Sequence, residues 1–164
     1  MTVNARLFGD WAGASRRLKQ LPDHVITELN MIVKEQAYLL LEKIKSAVES
    51  QTLRLDPLSD AYLSRKISEG LDERVLIATG EYIDNLRVLE KGKGRDYKVF
   101  VGAIRGDKHE SSGLDMAKLA KYLDDGTPRI PARPHISVVW KNNRDNIRRT
   151  IASSLAKELA SRGL

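Results

Sequence analysis

The chain has 164 residues, of which 41% are hydrophobic and 30% charged, and carries a formal net charge of +6; that balance describes one globular domain, residues 1–164, with a sizeable core. Cysteine is absent, which excludes disulfides, thiol nucleophiles and thiolate metal sites, and an aromatic content of 5% argues against a base-stacking nucleic-acid platform. No basic segment leads into an apolar run and no window approaches ~20 uninterrupted apolar residues, so we expect a protein that folds in a cytoplasm and does not cross a membrane.

Residues 1–21 read as an N-terminal arm or short helix, with Leu7, Phe8, Trp11, Leu18 and Leu21 at roughly helical spacing and Asp10 placed to cap a start. Aromatic residues near a terminus either tuck into the domain's own core or dock on a neighbouring subunit. The strongest helix signal follows. Pro22 suits a first-turn position and Asp23 brings negative charge to the start, while Val25, Ile26, Leu29, Val33, Ala37, Leu40, Ile44 and Val48 recur at helical spacing. Neither Gly nor Pro interrupts residues 23–50, so the helix extends about 40 Å. Leu39, Leu40 and Leu41 in succession widen the apolar stripe beyond one seam. Such a helix either lies across the sheet of its own monomer or also packs on another helix or subunit.

The pattern breaks at Gln51. Asp56-Pro57 is expected to open a short helix, with Tyr62, Leu63 and Ile67 on its apolar side and Gly70 as its stop. The run Val75-Leu76-Ile77-Ala78 ends at Thr79-Gly80, after which Tyr82, Ile83 and Leu86 indicate a brief amphipathic turn or helix. Arg87 to Glu90 and Tyr97 to Val101 are strand candidates separated by Gly92-Lys93-Gly94, which predicts a small antiparallel sheet. Ala103 to Gly113 reads as an exposed loop, in which Arg105-Gly106-Asp107 matches a cell-adhesion tripeptide by chance. Leu114, Ala117, Leu119 and Tyr122 then predict a short helix or a helix-to-strand segment.

Lys121 to Pro134 holds three of the five prolines, and that density of φ-restricting residues fixes a path rather than leaving a loose linker. It reads as a rigid corner that aims the last helix and exposes Arg129 and Arg133. Asp124-Asp125 reads as turn chemistry rather than as a catalytic carboxylate pair. Residues 135–164 read as a C-terminal basic helix: Ile136, Val139, Trp140, Ile147, Ile151, Leu155 and Leu159 keep helical spacing, and Lys141, Arg144, Arg148 and Lys157 take most of the other side. The elements predict an α+β fold in which the long N-terminal helix and the C-terminal helix pack on a small antiparallel β-sheet.

The charge is unevenly placed. Residues 129–164 carry eight basic side chains against two acidic ones, which leaves twenty of each in residues 1–128. A basic face of this kind meets DNA, an anionic membrane or an acidic protein surface, or is simply solvated. His24, His109 and His135 are isolated and share no metal-ligand spacing. A nucleophile elbow, a phosphate-binding glycine loop and a dinucleotide fingerprint are all missing. We therefore expect no catalytic, metal-binding or cofactor-binding residues, and no cofactor.

Three landmarks stand in order behind the long helix. They are Asp56-Pro57-Leu58-Ser59 followed by Lys66 and Gly70; Val75 to Ile83 through Thr79-Gly80-Glu81-Tyr82; and Tyr122 to Thr127 through Asp124-Asp125-Gly126, followed by Ile130-Pro131-Ala132-Arg133-Pro134. In this order, over about residues 10–160, the chain resembles the tail-completion or neck proteins of long-tailed bacteriophages. That family is marked by a mid-chain Thr-Gly turn and a later segment that reaches Gly-Thr and Pro-Ala-Arg-Pro. Asp124-Asp125 stands where the family often has Glu-Phe or Gln-Phe, and His135 where an aromatic commonly follows the last proline.

The resemblance implies a non-enzymatic structural subunit of the virion, located in the neck at the head-proximal end of the tail and assembled in the bacterial host cytoplasm. Its implied partners are further copies of itself in a ring, with a hexamer favoured, head-side connector proteins, and tail terminator or tail tube proteins. Non-specific contact with packaged DNA is implied as well, and no membrane. On this basis Arg129, Ile130, Pro131, Arg133 and Pro134 are candidate residues of a subunit or partner interface. Arg144, Arg148 and Arg149 are candidate contacts to DNA or to an acidic surface. The alternative is a free nucleic-acid-binding protein using the basic C-terminal helix.

Overall fold

The computed structural model describes residues 21–110 and 112–161. The expected arm over residues 1–21 lies, but for Leu21, outside them. Helix α1, Asp23–Glu49, matches the long apolar pattern. Pro22 precedes it in an extended conformation and its carbonyl accepts the Val25 and Ile26 amides, while Asp23 sets a negative charge against the positive end of the helix dipole. Ala37, Leu40, Ile44 and Val48 are its buried seam. The helix ends where Gln51 turns left-handed, at φ 52. The Arg74 guanidinium then caps the Glu49 carbonyl at 3.0 Å while holding the Asp72 carboxylate.

Helix α2, Asp60–Ser68, starts three residues beyond Pro57, because Ser59 and not Asp56 supplies the cap, its hydroxyl accepting the Tyr62 amide. It stops as the sequence predicts. Gly70 adopts φ 66, and the Leu71 and Gly70 amides return to the Lys66 and Ile67 carbonyls. Its packing differs from expectation. Tyr62 and Ile67 are exposed and Lys66 is the one buried residue of the helix.

Helix α3, Glu81–Asp84, is one turn after Thr79-Gly80. Strands β1, Leu86–Lys91, and β2, Lys98–Ala103, pair antiparallel from Leu86↔Ala103 to Lys91↔Lys98. The turn between them contains a short 3-10 segment, Gly94–Asp96. Helix α4, Met116–Asp125, runs through Asp124-Asp125 to Gly126, so these carboxylates belong to a last helical turn rather than to a loop. Helix α5, Ile136–Ser161, follows the corner.

The architecture is thus α+β, with α1 and α5 packed against each other and α1 also lying on the two-stranded sheet. One core joins these layers: Leu40, Ile44 and Val48 of α1, Tyr82 and Ile83 of α3, Leu86 of β1, Met116 and Ala120 of α4, and Val139 of α5. The predicted apolar stripe of α5 is only partly used. Val139 alone is buried among its described residues, and Trp140 remains 43% exposed.

Candidate interface at the corner and the basic helix

The corner is held by its backbone. Gly126, at φ 78 and ψ 173, lets the chain leave α4 in a conformation that only glycine enters at low cost. Thr127 and Ile130 exchange backbone hydrogen bonds of 2.8 and 3.2 Å across Pro128-Arg129. The Thr127 hydroxyl accepts the Arg129 and Ile130 amides as well. Proline in the second turn position supplies the φ that such a tight turn needs. The Arg133 amide then returns to the Leu123 carbonyl at 2.7 Å, tying the exit of the corner to α4.

Arg133 is not the exposed side chain expected from the sequence. It is 8% exposed, and its Nε and Nη2 each donate at 3.0 Å, to the Asp56 and Pro57 carbonyls. The fork of a guanidinium fits two neighbouring carbonyl oxygens, which an ammonium cannot span in the same way. Arg129 and Pro131 are exposed, while Ile130 and Pro134 are half-buried. Of the five candidate interface residues, Arg129 and Pro131 are therefore the most open to a partner, and Arg133 works inside the fold.

His135 closes the corner and is completely buried. Its Nδ1 lies 2.8 Å from the Arg133 carbonyl, which can only accept, so Nδ1 carries the proton. Nε2 is then the acceptor for the Tyr82 hydroxyl at 2.6 Å. Burial pushes the His135 pKa down, against the raising effects of the Arg133 carbonyl and the nearby Asp124 charge. Burial likewise raises that of Tyr82. Asp124 Oδ1 lies 3.5 Å from His135 Nδ1 and accepts the Ile136 and Ser137 amides at 2.9 and 3.3 Å. A carboxylate of α4 therefore caps the first turn of α5.

A third buried polar group lies across the core. Lys66 Nζ donates to the Arg74 carbonyl at 2.9 Å and to the Ile77 carbonyl. Desolvation holds its pKa below the usual lysine value, with Asp72 and Glu73 opposing. Gln51 pairs its amide with both backbone groups of Val75, at 3.1 and 3.0 Å. Together these two side chains fix the irregular segment in which Leu76 adopts φ 65.

The three landmarks are thus physically joined: Lys66 grips the Val75 to Ile83 segment, Arg133 grips Asp56-Pro57, and His135 grips Tyr82. No family model, curated protein or solved structure matches the chain. Spacing gives no indication of these three contacts, since the partners stand up to 77 residues apart.

Arg144, Arg148 and Arg149 are exposed on α5. Asp145 lies 3.7 Å from Arg144 and 3.8 Å from Arg148, and its carbonyl accepts from Arg149 at 3.4 Å. Such exposed pairs contribute about 0–1 kcal/mol and leave the arginines available to a partner. Among the described residues, no group of three or more histidine, aspartate or glutamate side chains is placed to hold a metal ion. No described helix is long and apolar enough to cross a membrane.

Proposed function

We propose that the chain is a structural virion protein of a tailed bacteriophage, acting in tail completion and head–tail joining as a ring-forming neck subunit around the DNA channel. The observation that carries this reading is the use made of the resemblance-bearing residues. Arg133, His135, Asp124, Tyr82 and Lys66 all spend their polar atoms on fixing one segment of the fold to another. A joint built in this way holds Arg129 and the α5 arginines in a set geometry, so an interface formed there loses little entropy on assembly. Repetition around a closed ring multiplies even weak contacts with connector, tail terminator or tube proteins, or with packaged DNA. A sixfold ring in the neck is the assembly this reading favours.

Mass spectrometry of purified particles tests the assignment, with the chain expected at a few to a dozen copies, as for a ring (about six). Its absence from particles removes the proposal. The exposed arginines of α5 also support a second reading, a free nucleic-acid-binding protein. That reading requires the isolated protein to bind DNA tightly with a steep dependence on salt, through release of counterions.

A further inference from the structure

Two exposed helix faces carry opposite charge, and among the described residues the arginines of the second pair only with Asp145 of their own helix. Glu28, Glu35, Glu42 and Glu49 recur every seven residues along α1, a period that keeps them on one side of the helix with a drift of ~20° per repeat. Met31 and Tyr38 lie on that same side and Leu39 at its margin, exposed by 59%, 46% and 48%, around a shallow groove of about 550 Å³. The groove's one lysine, Lys34, is neutralised by Glu90 at 2.9 Å. Glu28, Glu35 and Glu42 form no ion pair among the described residues.

On α5 the pattern is the reverse. Trp140, Arg144 and Arg148 recur every four residues, and Ile151 and Leu155 continue the strip as half-buried residues. Asn143, Ile147 and Thr150 turn toward α1, where Asn143 accepts a hydrogen bond from Lys43 at 2.7 Å. Successive helical residues rotate by ~100°, so Arg144 and Arg148 flank the face turned toward α1 rather than lying on it, with Trp140 at its edge. Glu35 and Glu42 stand a similar quarter turn from Gln36 and Lys43, which line the contact with α5, so neither charged face meets the other within one protomer.

We infer that the α1 face of one copy docks on the α5 face of the next, Glu35 and Glu42 meeting Arg144 and Arg148 around an apolar seam of Met31, Tyr38 and Trp140. The occupant is a second copy of this chain because the complementary charge and the complementary aromatic both lie on the chain itself. The two surfaces differ and point in different directions, so the contact is heterologous and propagates head to tail, closing into a ring where the rotation permits. This inference rests on the ring reading above and names its surfaces. It also assigns Arg144 and Arg148 to a protein contact rather than to DNA.

The test uses the full chain in two charge-reversed forms, Glu35→Arg with Glu42→Arg, and Arg144→Glu with Arg148→Glu. Far-UV circular dichroism confirms that each is folded, since all four positions are exposed. In sedimentation velocity the wild type assembles, and each variant alone associates about a hundredfold more weakly because like charges now face each other. Mixed in equal amounts, the two variants regain assembly, as each then offers the other an opposite face. The mixed ring alternates strictly and has an even number of subunits. A monomeric wild type overturns the inference, and so does a mixture that fails to reassemble. Reversed variants that assemble normally overturn these surfaces while leaving the ring reading intact. Absence of the chain from particles removes the virion role while leaving the interface standing.

Discussion

Gly126 is the position at which one added methyl group tests the corner most sharply. At φ 78 and ψ 173 it occupies a region that non-glycine residues enter at a cost of about 1–3 kcal/mol. A Cβ there would sit 2.8 Å from the Ala132 amide nitrogen and 3.1 Å from both Ala132 Cα and the Ile130 carbonyl oxygen. All three atoms are backbone, so none can swing aside as a side chain would, and relief of such overpacking costs about 1–3 kcal/mol more. Gly126→Ala should therefore destabilise the protein by roughly 3–4 kcal/mol, a fall in Tm of about 10 °C for a chain of this size. Gly94→Ala is the matched control. Its φ is 54 and its Cβ meets nothing within 4 Å, so only the left-handed backbone term of ~1 kcal/mol applies. Urea unfolding of both variants, followed by far-UV circular dichroism, separates the two terms. Equal destabilisation of the two variants would refute the close approach of Ala132 to Gly126.

Arg133→Met removes the fork that satisfies the Asp56 and Pro57 carbonyls and should cost about 2–4 kcal/mol in urea unfolding. Arg133→Lys should recover only part of this, because one ammonium does not reproduce the fork, and full recovery contradicts the assignment. Lys66→Met leaves the Ile77 carbonyl unpaired and the Arg74 carbonyl with the longer bond from the Ile77 amide at 3.4 Å, with an expected loss of about 1–3 kcal/mol. Hydrogen exchange should then quicken at residues 74–78, and unchanged exchange there argues against the staple. His135 supplies a pH dependence. Its folded pKa lies below the unfolded value of ~6.5, so the unfolded state binds the extra proton first. The contribution of His135 is present above ~6.5 and is lost as pH falls toward its lower folded value, at up to about 1.4 kcal/mol per pH unit. Urea midpoints measured from pH 7.5 to 5 should fall for the wild type and flatten in this range for His135→Gln. A wild-type profile no steeper than that of the variant contradicts the buried neutral histidine.

How much of this was legible in the sequence follows from the range of each interaction. Helix α1 is uninterrupted, and its register is set by side chains three and four residues apart, so the pattern from Val25 to Val48 sufficed. The hairpin was equally local, its glycines marking the turn between two short apolar runs. The start of α2 was misplaced because Pro57 resembles a first-turn proline while the hydroxyl that caps the helix belongs to Ser59. Asp124 read as turn chemistry because its cap acts on the first turn of a different helix, twelve residues away. Arg133 read as surface charge for a related reason. Its acceptors are backbone carbonyls of Asp56 and Pro57, which leave no side-chain signature. Lys66 illustrates the same limit: its acceptors are the backbone carbonyls of Arg74 and Ile77, which leave no side-chain signature.

The role itself is tested most directly by electron microscopy of particles produced without this chain. A neck subunit required for joining predicts filled heads and free tails that remain separate, with normal particles restored when the chain is supplied. Intact, joined particles in its absence would contradict that role.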